Sequence, residues 1–201
     1  PPLPSFRQLT FGRGAIDGGR FVPGSRAIVY SARWQGNPSK VFMLREGSLE
    51  ARALESEGVF LLGVSSQGGA AVLTQPNLWH GTLEGALSVQ SLAGGGARAV
   101  VTDCFAADFA EDGRTLCVVT PAPAASYLLQ WPPGETVYSS KHMLRNPRIR
   151  EGLAAFFEES DLSFSDGDLL VLAKGGPPRK VAVCKGFTAL AWGPGGKELW
   201  V

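Results

Sequence analysis

Short apolar runs that end at glycine-centred turns recur along the whole chain. Five segments have this form, and they read FVPGSRAIVY, VSSQGGAAVL, DFAEDGRTLCVV, RIREGLAAFF and AWGPGGKELWV. An apolar anchor residue precedes each turn, and the five anchors are Phe21, Val64, Phe109, Ile149 and Trp192. Successive anchors lie 43, 45, 40 and 43 residues apart, a spacing typical of repeated sheet blades. The pattern predicts an all-β fold, a β-propeller of four-stranded antiparallel blades.

Within each repeat, alternating apolar and polar residues between turns predict four strands, named A to D in chain order. Blades are expected at about residues 15–54, 59–101, 105–139 and 147–184, with a partial blade at 187–201. Residues 6–10 (FRQLT) are predicted to form the outer strand of a preceding blade, and residues 1–5 a linker. Because both ends would leave sheet edges uncovered, we expect residues 6–201 to be a segment of a larger ring.

The composition suits a turn-rich domain with few charges. Gly and Pro supply 40 of the 201 residues, and charged residues make up 18%, below the roughly 25% of an average domain. The net charge of +1 argues against a nucleic-acid partner. No apolar stretch approaches the ~20 residues of a membrane helix, so no direct membrane insertion by this segment is expected.

The charges are unevenly distributed along the chain. Residues 1–54 hold 8 basic and 3 acidic residues, residues 55–136 hold 2 and 8, and residues 137–201 hold 9 and 7. In a ring of blades this distribution gives a dipole around the ring. Both a partner surface and closure against further blades fit that asymmetry.

The residues that carry most protein chemistry are few and scattered. The two histidines, His80 and His142, are too isolated for a metal site, and no motif places a serine beside either of them as a catalytic triad requires. Cys104, Cys117 and Cys184 show no CxxC spacing. Buried thiols are the default interpretation, and a Cys104–Cys117 disulfide in an oxidising compartment is the alternative. We therefore predict a non-catalytic chain without metal or cofactor.

A binding face is the more productive expectation. Since strands alternate in direction, the B–C and D–A connections emerge on the same face of a propeller, and aromatic and arginine residues there are typical of interfaces. The predicted binding residues are Trp34 and Asn37 in the first B–C loop, Trp79 and His80 in a long loop over 75–85, and Lys141, His142 and Arg145 before the fourth blade. As alternatives, Trp34 packs at a strand end, and the basic residues solvate an edge or pair with the acidic repeats.

Several segments resemble a known family of repeats. FRQLTFGRG, ADFAEDGRTLCVV and LAWGPGGKELWV resemble the TolB-like propeller repeats of bacteria, in which a Gln-Leu-Thr strand precedes each blade and an x-Pro-Asp-Gly turn joins strands A and B. In order, the chain is similar to the propeller regions of bacterial serine/threonine protein kinases. The Gly-His and Trp-Asp signature dipeptides of WD repeats are absent from the sequence. The HRD and DFG motifs of a kinase domain are absent as well.

The resemblance implies a sensor or scaffold module for a protein, peptide or glycan partner. The module would belong to a larger bacterial, receptor-kinase-like protein and lie in an extracytoplasmic or periplasmic location, with a cytoplasmic location as the alternative. Two rival functions remain open at this point. One is the substrate-gating propeller of a prolyl-oligopeptidase-type peptidase, and the other is a free periplasmic TolB-like binding protein.

Overall fold

The computed structural model describes residues 8–48, 50–79, 82–160, 163–186 and 188–201, with the backbone alone at positions 55, 79, 163 and 164. All regular secondary structure in these residues is β-strand. The strands of the first blade are β1 (Gly14–Phe21), β2 (Ile28–Trp34), β3 (Lys40–Leu44) and β4 (Arg52–Glu57). Those of the second are β5 (Val59–Val64), β6 (Gly69–Trp79), β7 (Thr82–Ser91) and β8 (Ala97–Cys104).

The second half of the chain repeats this arrangement. The third blade comprises β9 (Ala106–Phe109), β10 (Leu116–Ala122), β11 (Ser126–Gln130) and β12 (Thr136–Ser140). The fourth comprises β13 (Leu144–Arg150), β14 (Leu153–Ser160), β15 (Ser163–Ala173) and β16 (Arg179–Cys184), and a two-stranded sheet follows, β17 (Ala191–Trp192) with β18 (Leu199–Trp200).

Each four-stranded sheet is a meander in which consecutive strands pair antiparallel. The predicted fold class, a β-propeller of four-stranded antiparallel blades, is confirmed. Gln8–Thr10 lie outside any strand here, and the outer strand 6–10 of a preceding blade stays a prediction. The rest of that strand and the linker 1–5 lie outside the described residues.

The hydrophobic core lies between successive blades. Strand β10 shows why the sequence folds this way, because Leu116–Thr120 are all buried where an exposed sheet would alternate. Both faces of its blade are covered, one by side chains of the second blade such as Leu73 and Leu87. Phe156 and Leu172 of the fourth blade pack on the other face.

The inner strands β1, β5, β9, β13 and β17 follow one another around a central channel, each beside the next. The anchors Val64, Phe109 and Ile149 are buried between blades, whereas Phe21 is 69% exposed. No described blade packs against the outer side of β1. The apolar anchor therefore fills an inter-blade core wherever a preceding blade is present.

Two B–C hairpins are longer than the sequence predicts. In the second blade, β6 continues past Gln75, which takes a positive φ of 50°, and a register shift lets Trp79 pair with Thr82. The predicted long loop over 75–85 is therefore wrong, since most of it is paired strand. In the fourth blade, β15 begins at Ser163 and pairs along β14 in the same way.

Candidate functional site

The central channel carries charged side chains at one repeated position. The residue immediately before the anchor is Arg20, Gly63, Asp108, Arg148 and Ala191 in units one to five. Of these, Arg20, Asp108, Arg148 and Ala191 line one cavity, and a side-chain carbon on Gly63 would lie 3.2 Å from Asp108 Oδ1. The propeller thus brings together residues that are far apart in the chain.

Two cavities lie along the inner strands. The upper cavity, about 530 Å³, is at the start of these strands and is lined by residues that include Asp17, Arg145 and Thr188. The lower cavity, about 660 Å³, is at their ends beside the A–B turns, with Glu111 and Trp192 in its wall. Gly19, Arg20, Arg148 and Ala189 line both. The two guanidinium groups therefore lie where the cavities meet.

Asp108 is held by the backbone of the next blade. Its Oδ2 accepts a hydrogen bond from the Ile149 N–H at 3.2 Å. Within the described part of the chain, no ion pair of 4.0 Å or less joins Asp108 to Arg20 or Arg148. The three charges interact through the channel without closing into a salt bridge.

Arg148 is fixed by backbone carbonyls and is only 9% exposed. Its Nε donates to Leu190 O at 2.7 Å and its Nη1 to Pro147 O at 2.6 Å. In return, Trp192 Nε1 donates to Arg148 O at 3.1 Å. These bonds join the fourth blade to the segment that follows it and hold the guanidinium in one orientation.

Arg20 is less completely bonded. Its Nη1 donates to the carbonyl of the adjacent Gly19 at 2.8 Å. Its Nε is buried and has no hydrogen-bond partner among the described residues. A buried donor without an acceptor is costly and rare, so this atom needs an explanation beyond the fold.

The protonation equilibria reflect the low polarity of the channel. Burial lowers the pKa of Arg20 to about 10, with repulsion from Arg148 adding to the effect and Asp108 opposing it. Burial also lowers the pKa of Arg148, again opposed by Asp108. The pKa of Asp108 is raised by burial, and both arginines act against the rise. Both guanidinium groups keep their charge at neutral pH, so the channel is rich in positive charge.

Arg145 is the predicted binding residue that the structure places in a cavity wall. It lies in β13 and lines the upper cavity, and its Nε donates to Glu159 Oε1 of the same blade. Burial raises the pKa of Glu159, and the bond and charge of Arg145 oppose this. Arg145 is thus at the channel mouth, but part of its charge is already balanced.

The other predicted residues lie on separate parts of the molecule. Trp34 ends β2 and packs on Phe42 of its own blade, with ring centroids 6.4 Å apart, which agrees with the strand-end packing alternative. Asn37 is exposed in the following turn, Lys141 is exposed, and His142 is half-buried before β13. The side chain of Trp79 and the whole of His80 lie outside the described residues.

Arg20, Asp108 and Arg148 are not among the functional residues that the sequence predicts. The available signal was their shared position, one residue before the anchor in three repeats. The three cysteines are free thiols, so the disulfide alternative is absent from this structure. No metal-binding group of histidine, cysteine and acidic residues occurs within the part of the chain that is described, nor does a helix able to span a membrane.

Comparison with known proteins gives the fold a context. No family model and no curated protein sequence matches the chain. Among solved structures, it is similar to a putative TolB from Agrobacterium tumefaciens (TM-score 0.68, 12% identity, 84% of this chain and 65% of that one). It is also similar to TolB from Acinetobacter baumannii (0.62, 12%, 87% and 44%).

Two peptidase structures share the same fold. One is an acylaminoacyl peptidase in complex with Z-Gly-Gly-Phe-chloromethyl ketone (TM-score 0.55, 11% identity, 84% of this chain and 32% of that one). The other is the β-propeller domain of the Trilobed protease from Pyrococcus furiosus (0.52, 13%, 86% and 58%). The chain spans less than two thirds of each of these four proteins. It is a β-propeller whose blades are similar in arrangement to those of TolB proteins.

Proposed function

We propose that this chain is a non-catalytic binding module that holds a protein or peptide partner at the upper face and in the central channel. The observation that carries the proposal is the pair of joined cavities, about 530 and 660 Å³. Each is of the size that ligand sites usually have. Their walls combine apolar backbone-rich strands with a few charged side chains, which is the usual composition of a site that selects a partner.

The upper mouth is the entry route in this proposal. Arg145 lines the upper cavity. The connection 141–143 leads into β13, the strand that contains Arg145. Arginine is enriched among the residues that dominate binding energy. A partner segment that contacts Arg145 first would then reach Arg20 and Arg148 further down the channel.

The same proposal assigns the module to a larger bacterial protein, with the propeller outside the cytoplasm as sensor or scaffold. Its support is the likeness of the repeats to kinase-linked propellers and the fold shared with the two TolB structures. The gene sequence on both sides of this segment tests it. A kinase domain and a membrane span upstream would support the sensor role, and a signal peptide with no other domain would favour a free periplasmic binder.

A second candidate function is a substrate gate, in which the propeller admits peptides to a separate hydrolase domain. Its support is the fold shared with the acylaminoacyl peptidase and the Trilobed protease propeller. A hydrolase domain downstream, with peptidase activity lost on replacing its serine, would select this function over the first.

The binding proposal is tested by blocking the channel. Ala189 lines both cavities, so Ala189→Phe should obstruct their junction. Ala99→Phe, on the exposed outer strand β8, is the matched control. A soluble library of random hexapeptides is passed over each immobilised protein, and the retained peptides are identified by mass spectrometry.

We expect the wild type and Ala99→Phe to retain the same peptides and Ala189→Phe to lose them. Equal retention by Ala189→Phe would contradict binding in the channel. A glycan array run on the same three proteins covers the other ligand class. Retention of glycans alone would overturn the peptide part of the proposal.

A further inference from the structure

We infer that Arg20 and Arg148 form a carboxylate-binding subsite at the junction of the two cavities, an inference that rests on the proposed binding function. It names the chemical group that a partner would place in the channel. Four observations carry it: an unbonded donor, an unbalanced charge, space beside the charges, and access from both cavities.

The unbonded donor is Arg20 Nε, which is buried without an acceptor. Each of the other two charged groups has a structural explanation. Arg148 donates to Leu190 O and Pro147 O, and Asp108 accepts from the Ile149 N–H. Arg20 bonds only to the carbonyl of its own neighbour, Gly19. Its remaining donor capacity is directed to no group of the fold that the structure describes.

The charge balance selects the ligand. At the position before the anchor, two guanidinium groups accompany one carboxylate, and the described residues form no direct ion pair among the three. A monoanion would neutralise the remaining positive charge. A guanidinium fork matches a carboxylate with two parallel N–H···O bonds. A phosphate dianion would exceed the charge available and would be repelled by Asp108.

The neighbouring units leave space at the same level. The positions equivalent to Arg20, Asp108 and Arg148 are Gly63 and Ala191, the two smallest residue types. Gly63 has a specific role, because a Cβ there would lie 3.2 Å from Asp108 Oδ1 and 3.3 Å from its Cα. Small residues at these two positions keep the centre of the channel unfilled while the charged groups stay in place.

Access is available from both sides, since Arg20 and Arg148 line the upper and the lower cavity. The carboxylate could be the C-terminus of a peptide or an acidic side chain within one. Both sources present the same group to the two arginines, and they are distinguished below by experiment.

The first test is a titration of ¹⁵N-labelled protein with sodium acetate, monitored by NMR through the side-chain Nε–H signals of arginine. Acetate should shift the Arg20 Nε–H signal in a saturable manner, and neutral acetamide should not. Arg20→Gln should weaken acetate binding by roughly tenfold or more, the effect of losing a charge-assisted bond. Arg98→Gln, on exposed outer strand β8, should leave it within about twofold.

Arg20→Lys separates charge from geometry, because lysine keeps the charge but lacks the fork. We expect it to recover only part of the affinity. An Arg20 Nε–H signal that is indifferent to acetate would overturn the subsite, as would unchanged affinity in Arg20→Gln. Tighter binding of inorganic phosphate than of acetate would overturn the assignment to a carboxylate.

The second test separates the two sources and the two proposals. N-acetyl-trialanine with a free C-terminus, its C-terminal amide, and N-acetyl-Ala-Asp-Ala-amide are titrated in the same way. Binding of the free acid alone assigns the group to a peptide C-terminus, and binding of the Asp peptide alone assigns it to a side chain. If acetate binds but no peptide or hexapeptide does, the subsite stands and the peptide-binding function fails. If hexapeptides are retained but acetate has no effect, the function stands and the subsite fails.

Discussion

The A–B turns and the central channel are adjacent regions of the same inner strands, but they treat their polar groups differently. In the turns, Ser65 Oγ donates to Gly113 O at 2.5 Å, and Gln67 Nε2 donates to Asp112 O at 3.3 Å. Arg150 donates to Gly193 O and Pro194 O at 3.0 and 2.9 Å. The turn of the second unit is thus bonded to that of the third, and the turn of the fourth unit to that of the fifth.

In the channel, one residue before the anchor, the charged groups are only partly satisfied. Arg20 Nε has no acceptor among the described residues, and Asp108 meets neither arginine at ion-pair distance in the part of the chain described. The comparison teaches that position decides the role of a polar residue here. Ser65, Gln67 and Arg150 bond to the next unit, although Arg150 Nε itself has no acceptor among the described residues. Arg20 in the channel bonds only to its own neighbour Gly19.

The largest expected effect is that of Asp108→Ala. The change removes the acceptor of the Ile149 N–H and the negative charge beside the guanidinium groups of Arg148, which is buried, and Arg20, which is half-buried. Loss of one member of a buried charged set typically costs about 3 kcal/mol, and we expect a decrease of that size in the free energy of unfolding, measured with urea. Asp103→Ala, exposed on β8, is the control. A loss below about 1 kcal/mol would mean that Asp108 does not hold the channel together.

The turn region is tested by Gly113→Ala, with Gly24→Ala as its matched control. Both glycines have positive φ, 65° and 72°, in equivalent A–B turns. A Cβ on Gly113 would lie 2.6 Å from Gln67 Cγ and 2.9 Å from Ser65 Oγ, whereas nothing lies within 4 Å of one on Gly24. We expect about 1 kcal/mol from the backbone strain alone in Gly24→Ala and about 2 to 3 kcal/mol in Gly113→Ala. Equal losses in thermal unfolding would show that the turns do not interlock.

A smaller effect is expected away from the channel, where a polar pair joins the outermost strand of the third blade to the fourth blade. Tyr138 Oη donates to Glu158 Oε1 at 3.0 Å, and burial together with this bond and charge raises the pKa of Tyr138 to about 12. Since the unfolded value is about 10, the stability that the phenol contributes is fully present below pH 10. It is lost as the pH rises towards 12.

An ultraviolet pH titration of the three tyrosines should therefore show one phenol that ionises last. Tyr138→Phe should remove that late step and leave the earlier ones in place. A titration in which Tyr138→Phe removes the earliest step would contradict the pairing with Glu158.

The smallest effect concerns the interiors of the blades. We expect solvent to be excluded from them, whereas it enters the channel. Burial raises the pKa of Cys104 to about 12 and that of Cys117 well above its usual value, and thiolates are the reactive species. Near neutral pH a thiol reagent should modify only the partly exposed Cys184 in the native protein, and all three cysteines in guanidinium chloride. Equal rates for all three in the native state would disprove the closed interior.

The blades could be predicted because their signal is local and repeated. Anchors such as Phe109 and Ile149 combine with glycine turns at a nearly constant spacing, so each unit supports the others. The hairpin over 75–85 was not predictable in the same way. Pro76 and Asn77 favour turns individually, and only the pairing with β7 keeps this segment extended.

The channel site depends on information that no local pattern contains. Arg20, Asp108 and Arg148 are separated by 88 and 40 positions, and each resembles an ordinary charged residue next to a turn. They face one another only because the inner strands pack side by side in a common register. Arg145 was found because an arginine in a D–A connection is suggestive by itself, although its bond to Glu159 could not be read from the sequence.

The inter-blade bonds have a consequence for the behaviour of the molecule under force. Three hydrogen bonds each cross one boundary between neighbouring units, and they join Asp108 with Ile149, Arg148 with Leu190, and Ser65 with Gly113. The two residues of each bond lie 41 to 48 positions apart in the sequence. Because each bond joins only neighbouring blades, we expect the blades to unfold one at a time when the protein is pulled from its two ends. Arg20 belongs to the first blade and Arg148 to the fourth, so an anion bound by both residues would connect these two blades directly. The partner would then resist the extension of the module that holds it.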